Sequence, residues 1–144
     1  MQQAFLGVDH IDVRVRCLKD VEGFYERLMP ALGLPKKRYA HVDENGEWDN
    51  DVTGKAYNVV EFSQDPATTH MPVFIGFVED PRMRPVETRI AFRIASKDDL
   101  QRWHAFLRSI GAANVEMSSA PEEYPAVFFE DACGTKLELC ARLA

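Results

Sequence analysis

No apolar stretch in this chain approaches the roughly 20 residues that a membrane-spanning helix needs. Its first residues, MQQAFLGVDH, lack the basic start and long apolar core of a secretory signal. Cysteine is scarce: Cys17, Cys133 and Cys140 are the only three, and no CxxC pair occurs. An odd, scattered set fits reduced thiols in the cytoplasm better than a disulfide frame. A surplus of positive charge is missing too. The formal charge is −6, which argues against a dedicated partner of nucleic acid or of an anionic membrane. There is no phosphate-cradling glycine loop and no nucleophile-elbow sequence. The acidic stretch Asp43–Asp51 lacks the ligand spacing of a calcium loop and reads as solvated chain.

What is present is the composition of an ordinary globular protein, 46% apolar and 28% charged, enough for one domain or two very small ones sharing a core. Val8–Arg16 alternates, with Ile11, Val13 and Val15 on one face and His10, Asp12, Arg14 and Arg16 on the other, the pattern of a half-buried strand. Over Lys19–Leu32 the apolar residues Val21, Phe24, Tyr25, Leu28 and Leu32 recur at helical spacing. Asp20 is the expected N-cap, Gly33 the stop, and Pro30 is expected to tighten or break the last turn. Lys36–Val42, Tyr57–Phe62 and Val73–Val78 read as strands, with Asp43–Gly54 as an exposed loop.

After the proline- and arginine-rich Asp80–Pro85 the pattern starts again. Thr88–Ile94 alternates, placing Ile90, Phe92 and Ile94 opposite Arg89, Ala91 and Arg93. Ser96 opens a helix, with Asp99 completing a variant capping box. Leu100, Trp103, Leu107 and Ile110 form its apolar stripe, and Gly111 ends it. Strands follow near Asn114–Met117 and at Ala126–Glu130 and Lys136–Ala141. One unit of strand, helix and about three strands is thus present twice. Neither copy can bury its sheet face alone. The expected fold is α+β: a single domain over 1–144, with two paired βαβββ modules (about 8–79 and 87–142, joined by a linker at 80–86). These form a curved mixed sheet around a central cleft, with the helices outside.

Near the C-terminus, Glu138 stands between Leu137 and Leu139. Alternation puts the leucines on a packed face and the carboxylate on the other, beside Cys140. A carboxylate there faces water, pairs with a cation or binds a metal.

Three segments carry a family likeness: VDHIDVRV at Val8–Val15, followed by a helix with FYERLMPALGL at Phe24–Leu34; TRIAFRI at Thr88–Ile94, followed by a helix ending in LRSIGA; and AVFFEDACGTKLEL at Ala126–Leu139. In this order the chain resembles the vicinal-oxygen-chelate superfamily, which includes glyoxalase I, extradiol dioxygenases and the fosfomycin and bleomycin resistance proteins. The resemblance implies a divalent metal (Zn, Ni, Fe or Mn) held by residues from the first strand of each half and the last strand of a half. His10 and Glu138 match two such positions. The third falls on Arg89, which has no lone pair to give a metal. Glu61 is a candidate helper ligand. The family's common D-P-D-G-N turn reads here as Asp131, Ala132, Cys133, Gly134 and Thr135, with Gly134 keeping the position that needs positive φ.

Three functions follow as expectations. In the first, the protein is a metal-dependent lyase, isomerase or dioxygenase of the glyoxalase type, with His10, Glu138 and Glu61 as ligands and Glu138 moving a proton. In the second it is a metal-free small-molecule binding or resistance-type protein. Arg89 then replaces a metal ligand, pairing with Glu138 or gripping an anion as a bidentate fork. Arg93 and Arg14 extend the basic surface, and Phe74, Phe77 and Phe128 serve as walls. In the third it is a regulatory or structural module with a vestigial cleft. The family likeness also implies a homodimer, whose second chain would be able to supply a ligand. His41, His70 and His104 read as loop or surface residues, Cys140 as a small buried residue, and the acidic loop as a possible lid.

Overall fold

The computed structural model describes residues 4–142. The elements are β1 (His10–Val15), α1 (Leu18–Ala31), β2 (Lys36–Val42), β3 (Trp48–Asp49), β4 (Val59–Ser63), β5 (Phe74–Glu79), β6 (Arg89–Arg93), α2 (Leu100–Ser109), β7 (Ala113–Met117), β8 (Ala126–Glu130) and β9 (Lys136–Cys140). They make two sheets, a five-stranded one ordered β1-β5-β4-β2-β3 and a four-stranded one ordered β6-β9-β8-β7. The chain is therefore α+β, as the repeat implied. By contacts it divides into two units. One holds the residues up to Arg14 together with Met29–Glu79; the other holds Val15–Leu28 together with the chain from Asp80 onward.

In the first unit β2–β4 and β4–β5 are antiparallel, and two registers matter. Arg38, Glu61 and Gly76 form one row across three strands, and Lys36, Ser63 and Phe74 form the next. The opposite face carries Val60, Phe62, Ile75 and Phe77, all buried. Phe77 packs edge-on against Phe62 at 6.2 Å. It is a core residue and not a wall of the polar face, because it is one residue out of phase with Phe74 and Gly76.

In the second unit β6 runs parallel to β9, while β8–β9 and β7–β8 are antiparallel. Leu137, Leu139, Val127 and Phe129 supply the buried face. Helix α1 packs on it through Phe24, whose ring lies 6.4 Å from Phe129. Tyr25 donates to Asp131 Oδ2 at 2.6 Å. Asp131 Oδ1 also accepts from the backbone N–H of Cys133 and Thr135, at 2.8 and 3.0 Å. That carboxylate builds the turn whose Gly134 has the expected positive φ of 83°.

Three local expectations are corrected. The first helix starts at Leu18, so Asp20 lies inside the first turn, where its charge meets the helix dipole, and is not the cap. Leu18 is buried, and the helix begins three residues before the start that an Asp20 cap implies. The Asp43–Gly54 stretch holds a two-residue strand, β3, paired to β2 at His41↔Asp49 and Val42↔Trp48. Asp43 closes that hairpin by accepting from the N–H groups of Asn45 and Glu47. Ser96 does cap, accepting from the Asp98 N–H, but into a short 3₁₀ turn over Lys97–Asp99 that leads into α2. Asp99 does not reciprocate; it pairs with Arg102 at 3.1 Å. Both helices end alike: Leu34 N–H reaches Met29 O and Ala112 N–H reaches Leu107 O, each a six-to-one closure. Pro30 therefore sits in the last turn without breaking it.

Candidate functional site

Each sheet has one apolar face and one polar face, and the polar faces carry the chemistry. On the second sheet β9 places Glu138 between Ala91 of β6 and Phe128 of β8. The carboxylate is only 5% exposed, so alternation turned it away from the leucines but not into water. Its partner is Tyr124, whose hydroxyl donates to Oε1 at 2.5 Å. The negative acceptor favours the protonated phenol and pushes the Tyr124 pKa up to about 12. At neutral pH the tyrosine is thus a fixed donor to an ionisable acceptor.

Arg89 leaves β6 and reaches over β9 to lie on the ring of Phe128, 4.8 Å from its centroid. Two strand spacings, about 9–10 Å, separate their strands. Only a long side chain bridges that gap, and the cation–π contact fixes its head. Among the described residues no ion pair joins Arg89 to Glu138, and the pairing branch of the sequence expectation is not what the geometry holds. Arg93, four residues along the same face, is exposed. Lys136 and Glu130 complete the row in register with Arg89 through an ion pair of 3.1 Å. That contact is the main cause of a lowered Glu130 pKa.

On the first sheet Glu61 is buried at 6% exposure. It accepts from Arg38, its register partner, through Nε at 2.7 Å and Nη2 at 2.5 Å, both on the same oxygen. His10 stacks flat on Phe74, the ring centroids 4.5 Å apart and 4° from parallel. Its Nδ1 lies 2.7 Å from Asp9 Oδ1. The Asp9 hydrogen bond raises the His10 pKa, with Asp12 and Glu61 adding to it at longer range and desolvation opposing. Gly76 explains how Asp12 comes so close. A β-carbon there would stand 2.9 Å from Asp12 Oδ1 and 3.6 Å from Glu61 Cγ, so any side chain would displace the carboxylate. Arg14 lies further along β1 and is exposed.

Each of these donors already has a partner within its own unit. His10 is occupied by Asp9, Glu61 by Arg38 and Glu138 by Tyr124. Among the described residues no three His, Cys, Asp or Glu side chains form a set able to hold a metal ion. His10 and Glu61 belong to the first unit, and Glu138 belongs to the second.

The sequence reading missed Arg38, Asp12 and Tyr124. Arg38 was legible only through the β2–β4 register, which the long connection containing β3 hides. Tyr124 lies outside any strand, where alternation says nothing.

No protein-family model matches the sequence, and neither does any curated protein. Solved structures do match in fold. The fosfomycin resistance protein FosX from Listeria monocytogenes (hexagonal form) is 17% identical, with 97% of this chain and 96% of that one covered and a TM-score of 0.61. The same protein complexed with Mn(II) and sulfate ion gives 18%, 97% and 93%, and 0.59. A glyoxalase/bleomycin resistance protein from Albidiferax ferrireducens T118 gives 17%, 93% and 97%, and 0.61. The chain has the fold of these vicinal-oxygen-chelate proteins. Among the described residues no helix is long and apolar enough to cross a membrane.

Proposed function

We propose that this protein is a small-molecule binding protein of the resistance type that holds an organic anion without a metal, on the polar face of its second sheet. One observation carries the reading: the Arg89 guanidinium is fixed on Phe128 with no ion pair among the described residues, beside a buried Glu138 already satisfied by Tyr124. A cation fixed on a ring, with Glu130 acting on it only through longer-range charge, is prepared for an incoming anion, and its fork matches carboxylate or phosphonate geometry. Phe128 gives the ligand an apolar surface, and Arg93 adds long-range attraction. Ala91, whose side chain ends at one methyl, flanks Glu138 on the β6 side. Glu138 then keeps one oxygen to accept a hydrogen bond from the ligand. The sulfate held by FosX supports an anion on this fold.

The metal-dependent reading has Mn(II) in that same FosX structure in its favour. It assigns His10, Glu138 and Glu61 as ligands and draws any missing donor from a second chain. Its chemistry would be Lewis-acid polarisation of substrate oxygens.

Titration calorimetry with fosfomycin on chelator-treated protein separates the two. The metal-free reading expects binding without added metal, weakened by about tenfold or more in Arg89→Gln and unchanged in His10→Ala. Binding that requires Mn(II), with stoichiometric metal lost in His10→Ala, would overturn it in favour of the enzyme.

A further inference from the structure

The first sheet carries a recess that shares no residue with the Arg89 site. It has a volume of about 430 Å³ and is lined by Lys36, Lys37 and Arg38 of β2, Glu61 and Ser63 of β4, Phe74 of β5, and Pro66 and Pro72 from the β4–β5 connection. That volume lies within the range of small-molecule sites.

Its construction separates an apolar floor from a charged rim. The floor is Phe74, half-buried and backed by the flat stack of His10. The two prolines are rigid apolar walls. The connection that bears them is tied at both ends: Gln64 N–H donates to Val73 O, and Val73 N–H donates back to the Gln64 side-chain oxygen, each at 3.0 Å. Asp65 accepts from the N–H groups of Ala67 and Thr68. The recess is therefore formed before anything enters it, which lowers the ordering cost of binding.

The rim's two cations are Lys36 and Arg38, each paired with one carboxylate and each still more than half exposed; Lys37, one residue out of phase, turns its ammonium over Tyr39 and Phe62. Lys36 pairs with Asp65 at 3.1 Å, and its side chain stays 56% exposed. Arg38 spends two nitrogens on a single oxygen of Glu61, and its side chain is 59% exposed. Glu61 thus orients the guanidinium without covering it, leaving the second terminal nitrogen available to an acceptor. Ser63, between Lys36 and Phe74 in register, offers a hydroxyl where cation and ring meet.

We infer that this recess binds a small organic acid with a flat apolar body. The body lies on Phe74 between Pro66 and Pro72, and the carboxylate meets Arg38, Lys36 and the Ser63 hydroxyl. An aromatic monocarboxylate is the simplest member of the class. The inference is independent of the Arg89 site, from which it shares no residue.

Chemical-shift mapping by ¹⁵N-labelled NMR, with benzoate as the probe, tests it. Benzoate is small enough that a dissociation constant of about 1–10 mM is expected. The largest shifts should fall on Arg38, Ser63 and Phe74. Phe74→Ala and Lys36→Gln should each weaken binding by about fivefold or more, while Arg89→Gln leaves it unchanged. Lys36→Gln serves beside Arg38→Gln because it does not strip a buried carboxylate of its partner; far-UV circular dichroism verifies the fold of each variant. Benzyl alcohol, which keeps the ring and loses the charge, should bind several-fold more weakly. Equal binding of benzyl alcohol, shifts confined to Arg89 and Phe128, or no shift at about 20 mM benzoate would each overturn the assignment.

Discussion

At the scale of a residue, His10 shows how neighbours set a charge. Desolvation opposes the charge, second in size only to the Asp9 hydrogen bond that favours it. The Asp9 hydrogen bond comes first, and Asp12 and Glu61 reinforce it, so the folded pKa lies above the ordinary 6.5. A raised folded value means the folded state holds the proton more tightly than the unfolded chain. The stabilisation is whole below pH 6.5 and fades as the pH rises through the folded value. Proton NMR of the ring should give a midpoint above 6.5, and Asp9→Asn should bring it down. A midpoint unmoved by Asp9→Asn would mean that Asp12 and Glu61 set the charge. The same residue scale governs the candidate metal site. A histidine that favours its proton, a glutamate bound by Arg38 and another bound by Tyr124 are all poor starting states for a metal, because each must give up a partner first.

At the scale of an element, helix α1 is tied to the second sheet by a polar contact within an apolar interface. Tyr25 is buried, and its hydroxyl meets Asp131; burial and that carboxylate together push the tyrosine pKa well up. Tyr25→Phe should cost about 1–3 kcal/mol, the range for a buried hydrogen bond to a charged acceptor. Asp131→Ala should cost more, because it also strips the N–H groups of Cys133 and Thr135. Urea unfolding of the two variants measures the order, and equal losses would show that the turn contacts contribute nothing. Elements of this kind were legible in the sequence. The alternation at Ile11, Val13 and Val15 and the stripe at Leu100, Trp103, Leu107 and Ile110 involve neighbours two to four residues apart. Burial favours those periods whatever the distant chain does. Ile90 and Phe92 are only half-buried, because β6 ends its sheet. What stayed hidden was partnership. That Glu138 meets Tyr124 and Glu61 meets Arg38 depends on strand register and side-chain reach, and no local period encodes either. The sequence put Glu138 and Arg89 on one face of their strands and left pairing with each other or gripping an anion as alternatives; the contacts found are Tyr124 on Glu138 and Phe128 under Arg89.

At the scale of the whole molecule, the duplicated pattern and the contact units do not coincide. The repeat in the sequence breaks at the Asp80–Pro85 linker, giving a first copy that owns α1. The contacts assign Val15–Leu28 to the second unit, although the chain on either side of it belongs to the first. Phe24 and Tyr25 find their partners at Phe129 and Asp131, more than a hundred residues on. The chain is therefore poorly suited to being divided where its own repeat suggests. Severed between Glu79 and Asp80, an N-terminal piece would carry a helix with its apolar stripe unmet, and the C-terminal piece would present Phe129 bare. Co-expressed pieces should recover the native circular dichroism that neither shows alone. A C-terminal piece that folds by itself would show that α1 is dispensable to that unit. Such mutual dependence makes the linker a natural position for a split reporter, in which signal returns only when both pieces meet.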